Sequence, residues 1–407
     1  MDDESFLARS DQIAGLSKLV TELGTDSTNI AKFIGENGPP KGELFTGVII
    51  SDLMQPLRSL TDITRGRMHE IGVHNLSTGA ELNKAAWMYH NQDQKNYAAL
   101  NAHTQDVPSA VPGEYGADTE RPGQTDAYAD PVSYPKPESV SLDPPQVNRE
   151  DTAALLGEIA PWLREANESI KHVTRMAGKE VDPLVLVLAP IEGNWNELRR
   201  IGESYKVAGN AMEASGKNLE NGVELVGEHW NGKAAISFEE NWARRQIAAM
   251  KWEGPVGRVI ADVFGLVADE IRNGVKTALT KLRDMLLDYI DVKSAKGILK
   301  NAIKKVPGVG WCVEAVDLGH KIYTIVSTIR EIVDKIEELK NQLKEFLSFI
   351  SDPVGKAAGK VTEKLEPYLK RAAVGKDLTE IAQVNHTLER PRDSYDVGSG
   401  AQPWENA

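Results

Sequence analysis

The chain has 407 residues, of which 41% are hydrophobic, 26% charged and only 6% aromatic, and it carries a formal net charge of -13. At the usual ~100–200 residues per domain this length holds two or three domains with real cores, and the acidic balance excludes nucleic acid as the main partner, because phosphate binding draws its affinity from Lys and Arg. The charge is uneven: residues 256–376 hold 21 Lys+Arg against 16 Asp+Glu, a slightly basic third that fits solvated helix faces or a site beside an acidic partner or anionic surface.

Residues 4–35 read as an amphipathic helix, with Ile13, Leu16, Leu19, Val20 and Leu23 at three-to-four spacing and Ile30, Phe33 and Ile34 continuing it. "GENGPPKGE" stops it, because paired prolines cannot continue a helix and the flanking glycines supply the φ angles of a reversal. A second helix is expected to resume near Leu44, carry Ile49, Leu53, Leu57, Leu60 and Ile63, meet interruptions around Gly66 and Gly72, and run through Leu76, Leu82 and Tyr89 to about Ala102. The first hundred residues thus predict a helical hairpin. The opening "MDDESFLARSDQIAGLSK" is acidic and lacks the apolar stretch of a Sec-type signal peptide, and no window reaches the ~18 unbroken apolar residues of a transmembrane helix.

Residues 104–147 change character, with eight prolines between 104 and 146 and almost no apolar periodicity. They read as a linker that behaves as a flexible chain reaching about 35 Å on average. A third helix is expected from about Arg149 to Ala177, with Leu155, Leu156, Ile159, Trp162, Leu163, Ala166, Ile170 and Val173 on one face. At 1.5 Å per residue it would be about 43 Å long, enough to carry the chain back from one end of the molecule to the other. Asp182-Pro183 gives the next helix start, an N-cap acceptor followed by proline at the first helical position. The most regular segment follows: Ile201, Tyr205, Ala208, Met212, Ser215, Leu219, Val223, Val226 and Trp230 alternate spacings of three and four, as a seam packed on another helix requires. Val256 to Ile290 is strongly apolar, "KKVPGVGWCVEA" predicts a hinge around 304–315, and Ile322 to Ile350 predicts a long amphipathic helix with a packing partner. Residues 377–407 read as a disordered tail. The fold class predicted is all-α, since no strand pattern outcompetes helix for more than a few residues.

The single cysteine, Cys312, excludes an intrachain disulfide and a Cys-based metal site, and none of the eight histidines pairs at the i, i+4 spacing of a helical metal site. After residue 255 there is no Gly-rich phosphate loop, no His-x-x-x-His and no nucleophile elbow. No catalytic residue, cofactor or metal is therefore expected.

The regular seam leads into "EHWNGKAAISFEENW", residues 228–242. Asn231-Gly232 is a helix-breaking pair, since both residue types tolerate the left-handed conformation that ends a helix. Ala234 and Ala235 are small, and Phe238 and Trp242 recur every four residues on the restarted helix, so the stretch predicts a tight reversal with large rings filling the bundle's end. Trp230, Gly232, Ala234, Phe238 and Trp242, reached through a long heptad-spaced helix, resemble the WXG family of type VII (ESX) secretion substrates over residues 183–250. "WEG" at Trp252 to Gly254 shows how easily the bare tripeptide recurs; the full set is far more specific. The first hairpin, with Tyr89 and Asp93 in Tyr-x-x-x-Asp spacing in its last turns, resembles the small secretion-associated proteins called EspC-like. Residues beyond 256 look faintly like the apolar helices of Esp-type secreted proteins.

The resemblance implies two hairpins docked as an elongated four-helix bundle: an EspC-like hairpin over 1–103, the linker 104–147, a WXG-type hairpin with its preceding helix over 148–255, C-terminal helices over 256–376 and the tail. It implies that Tyr89 and Asp93 lie next to Trp230 and Gly232 as a bipartite export signal, with Ala234, Phe238 and Trp242 packing the hairpin. Spacing at i, i+4 puts Tyr89 and Asp93 on one helical face, where a recognising protein could read ring and carboxylate together. The expected partners are the secretion ATPase and chaperone, co-secreted WXG or Esp-type proteins and further copies of the chain. The expected location is secreted or envelope-associated, in an actinobacterial system. Two other readings stand beside it, a secreted membrane-permeabilising toxin acting through residues 256–376 and a cytosolic coiled-coil scaffold.

Overall fold

The spacing of apolar residues produces long helices that bury one stripe each. The computed structural model describes residues 6–41, 51–102, 126–146, 150–176, 178, 180–189, 194–287, 310–351, 377, 381 and 390–397. Its helices are α1 (Ser10–Asn37), α2 (Met54–Ala102), α3 (Thr152–Ile159), α4 (Leu163–Met176), α5 (Pro183–Leu188), α6 (Trp195–Gly227), α7 (Lys233–Ser237), α8 (Arg244–Leu287) and α9 (Gly310–Ser351), with a π-helical turn over Phe238–Ala243 between α7 and α8. The protein is all-α: among the described residues there is no strand. None of these helices is long and apolar enough to cross a membrane.

The heptad-spaced seam is buried throughout, from Ile201 and Tyr205 to Val226 and Trp230. Helix α6, which carries it, runs antiparallel to α8 at close range: a Cβ on Gly209 would meet the Glu253 carbonyl oxygen, and one on Gly257 would meet that of Tyr205. Helix α1 packs antiparallel to α2 in the same manner, and Leu16 and Leu19 of α1 reach Gly222 of α6. Ile13, Leu16, Leu23, Ile30 and Ile34 of α1 are fully buried together with Leu57 and Leu60 of α2 and Ile201, Ala208, Met212 and Leu219 of α6.

Polar side chains cross between these helix pairs. Arg67 of α2 forks onto Glu253 of α8 with bonds of 2.7 and 3.0 Å and lies 5.3 Å from the Trp252 ring. Thr61 and Tyr205 share a hydroxyl bond of 2.9 Å, and Gln246 donates to the Ile71 carbonyl and to Asn75. At the far end from Trp230, Arg200 is paired with Glu197 and donates to the carbonyls of Asn37 and Pro39, which clasps the proline turn after α1.

Several sequence expectations are corrected. Helix α2 passes through Gly66 and Gly72 without a break; Gly72 lies where α2 meets α1, so its missing side chain serves close approach. The helix expected over 149–177 is split into α3 and α4, because Pro161 has no N–H to donate and Ala160 before it adopts φ -161 and ψ 87. Asp182 caps α5 as expected, accepting from the Val185 N–H with Pro183 at the first position. Helix α8 runs from Arg244 to Leu287 with Pro255 inside it. Residues 310–315 of the expected hinge are helical, while 304–309 lie outside the described residues. The same holds for 288–303 and 352–376 of the C-terminal region. The amphipathic stripe of α9 is buried at Ile336, Leu339, Leu343, Phe346 and Ile350; α9 packs on α8 and α2, with Lys335 paired to Glu270 of α8 and Lys340 to Asp52 just before α2.

The proline-rich segment departs furthest from expectation. Residues 103–125 are outside the described set, yet 126–146 form an extended strap lying on the helices. The Val132 N–H donates to the Asp11 carbonyl at 3.0 Å, Tyr134 donates to Gln12 at 2.9 Å, and Asn218 of α6 exchanges two bonds of 2.9 Å with the Glu138 backbone. Glu150 then pairs with Arg272 and accepts from Asn196 at the start of α6. The strap itself, and not the third helix, returns the chain to the opposite end. Burial, with Asp11 nearby, pushes the Tyr134 hydroxyl up to about 12 from an ordinary ~10. The folded chain holds that proton longer than the unfolded one, so this support is complete below about pH 10 and lost as the pH rises through 12. Thermal midpoints should fall across that window, and Tyr134→Phe should remove part of the fall.

Candidate functional site at the Trp-Asn-Gly end

Helix α6 stops because the chain after it takes a conformation only glycine adopts comfortably. Gly232 has φ 90 and ψ -177, and it precedes the short helix α7. Replacement by alanine should cost about 1–3 kcal/mol from backbone strain alone, read as a lower urea midpoint at an unchanged slope. Asn231 does more than break the helix. Its N–H donates to the Leu7 carbonyl at 2.9 Å and its Oδ1 accepts from the Leu7 N–H at 2.7 Å. With the Arg9 N–H donating to the His229 carbonyl at 3.0 Å, the N-terminal arm Phe6–Arg9 is joined to the reversal as a short antiparallel bridge centred on Ala8 and Trp230.

An aromatic cluster lies under this bridge. Trp230 is 3% exposed, and its indole N–H points at the Tyr89 hydroxyl oxygen 3.5 Å away. Phe238, 1% exposed, has its ring 5.5 Å from Trp230 and 5.6 Å from Trp242. The restart after Gly232 is not one regular α-helix: α7 buries none of its residues, with Ala234 half-buried, and the π-turn then resets the helical phase so that Phe238 and Trp242 point inward. Tyr395, from a C-terminal segment expected to be disordered, stands edge-on to Phe238 at 5.3 Å. That segment is held to α2 by Arg390 on Glu70, by the Tyr395 N–H on Thr78 and by the Val397 N–H on Glu81.

Tyr89 and Asp93 differ sharply in accessibility. Asp93 is exposed, as is every residue of α2 from there to Leu100. Tyr97 is 48% and Leu100 69% exposed, so the last turns of α2 stand clear of the other helices. Tyr89 is 3% exposed, and burial pushes its hydroxyl above the ordinary tyrosine range while the Trp230 N–H pulls the other way. The expectation that ring and carboxylate are accessible together on one helical face is corrected: Asp93 is exposed and the Tyr89 ring is buried. Beside them Tyr128 of the strap bonds His90 at 3.0 Å and packs 4.9 Å from Trp87, whose N–H reaches the Asp126 carbonyl.

The strap and the tail carry no periodicity that announces their contacts at this end, and Phe6–Arg9, expected to be helical within 4–35, lie outside α1 as an arm bridged to the reversal. Among the described residues no group of three or more His, Cys, Asp or Glu is placed to hold a metal ion. No family model, no curated protein and no solved structure matches this chain.

Proposed function

We propose that this chain is an exported, non-enzymatic substrate or secretion-associated protein of a type VII (ESX) system. In this reading α1–α2 is an EspC-like hairpin docked on a WXG-type hairpin formed by α6 and α8, the whole being an elongated four-helix bundle, and Tyr89, Asp93, Trp230 and Gly232 compose one bipartite export signal. The observation that carries the reading is the contact between Trp230 and Tyr89, 141 positions apart in the chain and 3.5 Å from indole nitrogen to hydroxyl oxygen. Nothing in the local sequence of either helix requires those two rings to meet. The exposed Asp93 and the projecting end of α2 give a secretion ATPase or chaperone a helical surface to grip beside the pair.

Export tests this directly. In a host with a functional secretion ATPase, Tyr89→Ala, Trp230→Ala and Asp93→Ala should each vanish from the culture filtrate and envelope while the cytosolic pool persists. Asp93→Ala is the most discriminating of the three, because an exposed side chain of this kind changes stability by no more than about 0.5 kcal/mol. Normal appearance of all three outside the cell would sink the reading.

A further inference from the structure

Tyr89 belongs to the proposed signal, yet at 3% exposure its ring is out of reach of any recognising protein. What lies over it is the N-terminal arm, whose Phe6 ring stands 6.0 Å from the Tyr89 ring. That arm lies outside the helices and is joined to the reversal along one edge. Its main chain is tied by the bonds of Leu7 and Arg9 to the 229–231 edge, and Phe6 and Leu7 remain 49% and 40% exposed. Leaving costs it the buried part of Phe6 and Leu7 and the packing of Ala8 on the core. The arm also forms one wall of an open depression whose other wall is Tyr89, His90 and Asp93, closed at one side by Tyr128. Lifting the arm widens that depression down to the Tyr89 ring and frees the Asn231 N–H and the His229 carbonyl.

We infer that Phe6–Arg9 is a displaceable cover, an autoinhibitory contact that hides the aromatic half of the signal while leaving Asp93 in solvent. The inference rests on the export reading and adds an order of events to it. A partner first meets Asp93 and the exposed last turns of α2; the ring becomes readable only after the arm has opened. Segments held by a few solvent-facing backbone bonds open locally without global unfolding, and a partner that binds only the open form draws the population toward it. The kind of segment that fits the vacated place is an extended peptide, which can pair with the 229–231 edge as the arm does and lay an aromatic side chain on Tyr89.

The test uses the full-length chain treated with tetranitromethane, with nitration of each tyrosine followed by peptide mapping, alongside export of the same variants. Phe6→Ser and Leu7→Pro should raise the nitration rate of Tyr89 at least tenfold over the unsubstituted chain, while Tyr205, 2% exposed in the middle of the core, stays as slow as before and reports that the fold is intact. Phe6→Ser should be exported at least as well as the unsubstituted chain. Two results overturn the cover: Tyr89 nitrating no faster in both variants with Tyr205 silent, or Phe6→Ser losing export as completely as Tyr89→Ala. Normal export of Tyr89→Ala is a different failure. It removes the export reading while leaving the nitration rates to say whether the arm opens.

Discussion

Arg67→Ala is expected to lower the unfolding free energy by about 3–5 kcal/mol, because it strands a buried carboxylate. Glu253 is 2% exposed on its side chain and Arg67 only 12%, so neither charge has water to fall back on. The guanidinium satisfies both carboxylate oxygens through a two-pronged bond and covers the Trp252 ring. Burial works against the Arg67 charge, and the Glu253 carboxylate outweighs it, holding the guanidinium above its ordinary value. The pair links α2 to α8, so the loss should be read in the cooperativity of the whole molecule and not in a frayed end. The magnitude reports an orphaned charge and not the worth of the pair, which a second variant separates. Replacing both partners, as Arg67→Met with Glu253→Leu, should recover most of the loss, since two apolar side chains of similar volume leave nothing unpaired. Urea unfolding of the two variants beside the unsubstituted chain decides it. If the double replacement is no more stable than Arg67→Ala alone, the buried-charge explanation is wrong.

Phe238→Ala should cost a similar ~3–5 kcal/mol by a different route, the cavity left when a large ring is removed from a site that cannot collapse. Phe238 touches Trp230 on one side, Trp242 on the next and Tyr395 edge-on. Each neighbour is anchored elsewhere, Trp230 by the Gly232 reversal, Trp242 by the π-turn and Tyr395 by the Thr78 bond. Phe238→Leu keeps most of the volume and should lose less than half as much. Both variants should also loosen the C-terminal segment, seen as faster amide exchange at Tyr395 and Val397 than in the unsubstituted chain. A small effect of Phe238→Ala on stability would mean that the cluster is plastic.

Much of the helical scaffold is legible in the sequence because burial of a helix leaves a period behind. The seam from Ile201 to Trp230 and the stripe from Ile336 to Ile350 are each written as three-to-four spacing, and both are buried. The end of α6 is written in Gly232. The meeting of Tyr89 with Trp230 is not written in any local pattern; only the resemblance to a two-hairpin secretion class raised it. What stayed hidden was held by other means. The strap over 126–146 is fixed by one backbone bond to Asp11, the Tyr134 hydroxyl on Gln12 and a pair of bonds to Asn218, none of them periodic, so its prolines read as a free linker. Arg67 and Glu253 stand 186 positions apart, and each looks like one more charge on a solvated face until α2 and α8 are laid together. The residues around Tyr395 are too short for any period, so they read as disordered where 390–397 in fact pack against α2 and Phe238, and Phe6–Arg9 read as part of the helix that starts only at Ser10.

The most direct measurement of the central claim is a nuclear Overhauser contact in solution between the Trp230 indole N–H and the Tyr89 ring in the selectively labelled full-length protein. The account predicts a cross-peak between them within one molecule, unchanged on dilution. Its absence while Trp230 shows contacts to Phe238, or its loss on dilution, would place the two rings in separate modules or separate chains and contradict the account.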